Sequence, residues 1–165
     1  MTLRAVVGVG ANLGDRLQTM RAAVSELAQV AQVERTSRVY ATAPVGGPPQ
    51  PEYFNAAVLV AFDGTPHALL DALLAIEARH GRERAERWGP RTLDLDVLWI
   101  EGLVVDDPRL EVPHPRLQQR AFALAPLLEI VPDARDPRSG ALYAAPPGVV
   151  RDTGLTLSAP SNRGR

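Results

Sequence analysis

An α+β domain, with helices laid over an antiparallel-dominated sheet, is the fold class predicted by this 165-residue sequence. Three observations predict it. Apolar runs of strand length recur near residues 4–10, 33–40, 53–62 and 94–100. Two stretches between them carry apolar residues at helical spacing. The resulting order, strand–helix–strand–strand–helix–strand, is the split βαβ arrangement of ferredoxin-like folds, an α/β sandwich.

The first strand, Arg4 to Gly10, leads through Gly10-Ala11-Asn12-Leu13-Gly14-Asp15 into a helix. There Leu17, Met20, Val24 and Leu27 form one face, to about residue 30. Val33 to Tyr40 is the second strand. Ala43 to Pro51 contains four prolines and two glycines and is a loop. Tyr53 to Phe62 is the third strand. Thr65 caps the next helix and Pro66 occupies its first position. Its expected buried face is Leu70, Leu73, Leu74 and Glu77, and it ends near Gly81.

Asp94 to Ile100 is the fourth strand; Glu101-Gly102 turns it into a short partner, Leu103 to Val105. Leu117, Ala121, Leu124 and Leu128 predict a third helical face, which Pro126 ends or kinks. Residues 1–143 form the expected body. Residues 144–165, rich in Pro, Gly, Ser and Arg, are expected to be a loosely ordered tail.

Composition narrows the chemistry. A chain of this length buries roughly 70% of its extended surface as one domain and needs no staples. No cysteine is present, which excludes disulfides and thiolate metal sites. All 18 basic residues are arginine. A Walker-type phosphate loop and Schiff-base chemistry both need lysine and are therefore excluded. The formal net charge of −1 argues against a nucleic-acid partner. No apolar run reaches the roughly 18 residues of a membrane span. With no signal-peptide pattern, a cytoplasmic protein is expected.

The most informative stretch runs from Arg82 to Asp96. Four arginines and Trp88 precede Asp94 and Asp96, which open the fourth strand. On a strand, residues i and i+2 share a face, about 6.5–7 Å apart. Two carboxylates so placed repel unless a cation joins them, and Mg²⁺ is commonly held by one or two carboxylates plus substrate phosphates. Arginines supply bidentate donors for phosphate oxygens. The combination points to Mg-nucleotide phosphoryl transfer, although an Asp-x-Asp pair alone also fits a solvated strand end.

Further candidates are single residues. Glu77 lies on an apolar helix face, either by drift at the helix end or to accept hydrogen bonds from a ligand or an arginine. Tyr53 and Asn55 share a strand face and could hold a planar heterocycle, one by stacking and one by reading its edge. The same pair also fits ordinary strand packing. Phe122 lies about 140° from Leu117 on a helical wheel, off the main stripe. His114, between Pro113 and Pro115 with Arg109 and Arg120 nearby, is a phosphate-binding candidate.

Four segments, in order, resemble the 6-hydroxymethyl-7,8-dihydropterin pyrophosphokinases of folate biosynthesis. They are Gly10-Ala11-Asn12-Leu13-Gly14-Asp15; Tyr40-Ala41-Thr42-Ala43-Pro44 with Tyr53-Phe54-Asn55-Ala56-Ala57; Glu86 through Asp96; and Val112-Pro113-His114-Pro115-Arg116 leading to Arg120-Ala121-Phe122. The resemblance covers residues 4–133 and implies transfer of diphosphate from ATP to the pterin hydroxymethyl group, releasing AMP. It implies two Mg²⁺ ions at Asp94 and Asp96, with Arg82 and Arg91 as catalytic residues. It places Glu77, Arg84, Trp88, Arg109, His114 and Arg120 on the ATP side. Thr42, Pro44, Val45, Gly46, Tyr53, Asn55 and Phe122 fall on the pterin side. Ala11, Leu74 and Glu111 depart from the family pattern.

Two rival classes share the fold. A small-molecule-binding regulatory module would need the pocket but not the paired aspartates. An RNA-binding module would need exposed aromatics and a basic surface; three Phe, two Trp and three Tyr, eight in all, and near-neutral charge oppose it.

Overall fold

The structure is a computed structural model that describes residues 1–12, 14–43, 51–81, 92–144 and 150–158. In chain order come β1 (Thr2–Ala11), α1 (Arg16–Val30), β2 (Gln32–Thr36), β3 (Arg38–Thr42), β4 (Tyr53–Asp63) and α2 (Pro66–Arg79). They are followed by β5 (Asp94–Ile100), β6 (Val105–Asp106), β7 (Glu111–Val112), a 3₁₀ turn (Leu117–Gln119), α3 (Ala121–Ile130) and β8 (Arg151–Thr156).

The main sheet has the order β5-β1-β4-β3-β8, and β2 also pairs with β4. β4 runs antiparallel to both β1 and β3 and lies between them. The α1 connection therefore links two strands of the same direction across a third, which is the predicted split βαβ unit. β4 and β5 repeat the arrangement through α2, with β1 between them.

Both faces of the sheet are covered. Val7, Val9, Val58, Val60 and Val97 pack against α1 and α2. Val6, Leu59, Leu98 and Trp99 pack against α3. Double coverage explains why the central strands are nearly continuous apolar runs rather than alternating ones. The β1–β5 register slips between Val6 and Val7, from Trp99 to Val97. That bulge lets Leu98 and Trp99 both serve the α3 side.

The caps match their residues. Asp15 Oδ1 accepts from the Gln18 amide, and Thr65 Oγ1 from the Ala68 amide. The predicted second strand is bent at Ser37 into β2 and β3. Ser37 is buried, and its Oγ accepts the Ala57 amide at 2.8 Å in place of a ladder carbonyl. Gly102, at φ +68°, makes the predicted turn after β5, which closes on a single Ile100–Leu103 bridge.

Three expectations are corrected. The buried face of α2 is Leu69, Leu73, Ile76 and Glu77, while Leu74 is 40% exposed. Leucines at 69–70 and 73–74 create two overlapping stripes, and contact with the sheet selects between them. The third helical face is not Leu117, Ala121, Leu124 and Leu128: Leu117 lies in the 3₁₀ turn, and α3, which runs through Pro126 to Ile130, buries Ala123, Leu124, Leu127 and Ile130. Residues 151–158 are not a loose tail: β8 pairs with β3, and Leu157 lies in the α1-side core. Arg21 donates twice to the Thr156 carbonyl, and Thr153 Oγ1 donates to the Val39 carbonyl. Removing residues 150–165 is therefore expected to cost about 2 kcal/mol and lower the thermal midpoint by about 4–8 °C. An unchanged midpoint would show that β8 adds nothing to stability.

Among the described residues no helix is long and apolar enough to cross a membrane.

Candidate active site

A cavity of about 620 Å³ opens on the α3 side of the sheet. Its floor is built from matched registers. Gly10 pairs with Asp94 on one side and Asn55 on the other; Gly8 pairs with Asp96 and Ala57. Thr42 pairs with Tyr53. Asp94, Asp96, Gly8, Gly10, Tyr53, Asn55 and Thr42 all line the cavity. The aspartates and Asn55 are two strand spacings apart, about 10 Å. The opposite wall comes from Gln119, Arg120 and Phe122, at the start of α3.

Gly8 and Gly10 keep this floor low. A Cβ on Gly10 would sit 2.8 Å from Asn55 Oδ1, and one on Gly8 would sit 3.1 Å from the Leu98 side chain. Glycine inside a strand normally weakens it, and close approach of a ligand or another group is the usual reason to find it there.

His114 is tied to the site by its backbone. Its amide donates to the Leu98 carbonyl at 2.9 Å, and its Nδ1 accepts the Arg116 amide at 3.3 Å. In the neutral ring Nε2 then carries the proton. Burial pushes the His114 pKa below its ordinary value. Asp96 opposes that shift, and Arg120 and Arg116 reinforce it. A neutral imidazole offers one hydrogen-bond donor here rather than a charge. The Arg120 guanidinium carbon lies 5.6 Å from the Phe122 ring centroid, close enough to steady both side chains.

Thr42, Tyr53, Asn55, Asp94, Asp96, His114, Arg120 and Phe122 are thus brought to one cavity. Two other candidates lie elsewhere. Arg109 pairs with Asp71 of α2 at 2.6 Å, in an exposed position. Glu77 is 3% exposed, and its Oε2 accepts the Leu95 amide at 2.7 Å, between the two aspartates. Pro44, Val45, Gly46, Arg82, Arg84, Trp88 and Arg91 fall outside the described residues.

Gly8, Gly10, Leu98, Gln119 and Val150 also border the cavity and were not among the sequence candidates. Only the glycines left a signal, as breaks in an apolar strand. His67 and His80 pair with Asp107 and Glu26 and take no part in the cavity. Among the described residues, no cluster of three or more His, Asp or Glu side chains could hold a metal alone. Two carboxylates on one strand face, opening on a cavity, do fit a Mg²⁺ that completes its shell with substrate oxygens.

Carboxylates and aromatic rings thus line one cavity on a doubly covered α+β sheet. The chain belongs to the 7,8-dihydro-6-hydroxymethylpterin-pyrophosphokinase (HPPK) family, which it matches over residues 6–132. It is 49% identical over 138 residues to the 2-amino-4-hydroxy-6-hydroxymethyldihydropteridine pyrophosphokinase of Synechocystis, covering 82% of this chain and 70% of that one. The enzyme of that name from Methylorubrum extorquens is 46% identical over 132 residues, covering 79% and 84%. A solved structure of Plasmodium falciparum HPPK-DHPS A437G with SDX-DHP matches with a TM-score of 0.68 at 13% identity. That match covers 87% of this chain but only 44% of the other, so the chain spans less than half of the solved protein. Membership makes this a pyrophosphokinase-class enzyme, a transferase acting in folate biosynthesis.

Proposed function

We propose that the chain transfers diphosphate from ATP to the hydroxymethyl oxygen of 6-hydroxymethyl-7,8-dihydropterin. A bond forms between that oxygen and the β-phosphorus, the bond from the β-phosphorus to the bridging α–β oxygen breaks, AMP leaves with that oxygen, and the hydroxyl proton is released to solvent. The observation that carries this reading is a single floor. Asp94 and Asp96 stand about 10 Å from Asn55, across the glycines of β1, which suits a phosphate end and a flat acceptor end.

Tyr53 and Phe122 supply ring faces for the pterin, Asn55 reads its edge, and Thr42 borders it. His114 and Arg120 contact the nucleotide. Asp94 and Asp96 would hold two Mg²⁺ ions, which when bound neutralise charge on the phosphate oxygens. Arg82 and Arg91 would stabilise charge that develops during transfer, with Arg84 and Trp88 beside the nucleotide. Pro44, Val45 and Gly46 would complete the pterin side. Phosphoryl transfer asks the protein for positioning and electrostatics more than for covalent chemistry.

Pterin-dependent AMP formation from ATP in Mg²⁺ tests the reading. A chain that binds pterin and nucleotide without releasing AMP would be a regulatory module instead. Gly10→Ala is expected to displace Asn55 and weaken pterin binding about tenfold, or about 1.4 kcal/mol, with nucleotide affinity unchanged. Fluorescence titration with a pterin measures this; unchanged affinity would remove Asn55 from the acceptor site.

A further inference from the structure

Val150 borders the cavity, although it lies beyond residues 6–132, the stretch shared with the family. Its position follows from strand register. Arg151 pairs with Ala41, so continuing that antiparallel ladder places Val150 beside Thr42. Thr42 in turn pairs with Tyr53. Val150, Thr42 and Tyr53 therefore form one row across three elements, and all three line the cavity. The far edge of the sheet is β5, which carries Asp94 and Asp96. Four strand spacings, about 19 Å, separate that edge from the row's outer end. Val150 thus meets whatever occupies the acceptor end and not the phosphate end.

We propose that Val150 is a specificity-determining residue for the pterin, held as an apolar side wall of the cavity by β8. The proposal rests on the pterin reading given above. β8 is positioned well enough for this role. Arg38 Nε donates to Asp152 Oδ2 at 2.6 Å, and Thr153 Oγ1 donates to the Val39 carbonyl at 2.7 Å. Leu157 is buried in the core. Arg151 also bonds Glu52 at 2.7 Å. Glu52 and Pro51, just ahead of β4, are held through their carbonyls by Arg16 and Asn12. The exposed Arg151–Glu52 pair contributes little by itself. Ladder pairing and the burial of Leu157 fix the wall, and the Val150 side chain shapes it.

The test uses the full chain with Val150→Trp and Val150→Ala, reading Michaelis constants for both substrates and fluorescence binding of 6-hydroxymethylpterin. Val150→Trp is expected to fill the wall and weaken pterin binding about tenfold or more, with the KM for ATP within about twofold. Val150→Ala is expected to weaken pterin binding about threefold at an unchanged thermal midpoint, so the measurement survives if tryptophan impairs folding. Equal shifts in both Michaelis constants, or an unchanged pterin constant in both variants, would overturn the assignment. A wild-type chain that turns over pterin while the variants match it defeats this inference alone. A wild-type chain that neither binds nor turns over pterin defeats the functional reading as well.

Discussion

Asp94→Ala and Asp96→Ala are each expected to lower pterin-dependent AMP formation by about a thousandfold, or about 4 kcal/mol of transition-state stabilisation. Neither side chain belongs to the apolar core: Asp94 is half-buried and Asp96 exposed on the cavity face of β5. The thermal midpoint should therefore move little. Both carboxylates point to one face, and no third ligating side chain joins them among the described residues. On the proposed Mg²⁺ site, loss of either would remove one of the two described carboxylates that would hold the metal. Turnover titrated with Mg²⁺ checks this. Near-native rates in both variants would end the metal assignment, whereas partial recovery at high Mg²⁺ would support it.

Glu77→Ala is expected to act through β5 instead of through the ligand. Its carboxylate accepts the Leu95 amide at 2.7 Å in a buried setting. Removing it leaves a buried donor without that acceptor, at about 2–4 kcal/mol, and lowers the thermal midpoint by about 5–10 °C. Leu95 sits between Asp94 and Asp96, so turnover should also fall about tenfold even where the variant is folded. Glu77→Gln keeps an acceptor oxygen and should recover much of both losses. Thermal melts beside initial rates decide the matter. Unchanged stability with weakened nucleotide binding would make Glu77 a direct nucleotide contact instead.

Much of the candidate site was legible because its signals are local. Strand parity puts Asp94 with Asp96, and Tyr53 with Asn55, from spacing alone. The cap at Thr65 needs only three or four residues of context. The Arg-Trp-Gly-Pro-Arg-Thr-Leu-Asp-Leu-Asp run is specific enough to name a family from sequence, and comparison with relatives agrees. Local spacing did not show the partners that Arg109 and Glu77 take in the fold. One is paired with Asp71, the other with the Leu95 amide, and neither lines the cavity. β8 was missed because a short edge strand in Pro-, Gly- and Ser-rich sequence has no periodicity of its own. Its strand character comes from β3, which offers an unpaired ladder.

By itself the sequence determined the order of elements from β1 to β5, the Thr65 cap, the same-face pairs and the chemistry open to a chain with arginine as its only strong base. Each follows from interactions that reach only a few residues along the chain. Tertiary structure alone decided which leucine stripe of α2 faces the sheet and that Gly10 stands between Asp94 and Asn55. It also decided that Val150 comes beside Thr42. The first depends on packing of α2 against the sheet, and the other two on cross-strand register between segments 45 to 108 residues apart. Register is selected by packing both faces of the sheet at once, and no local spacing encodes that choice.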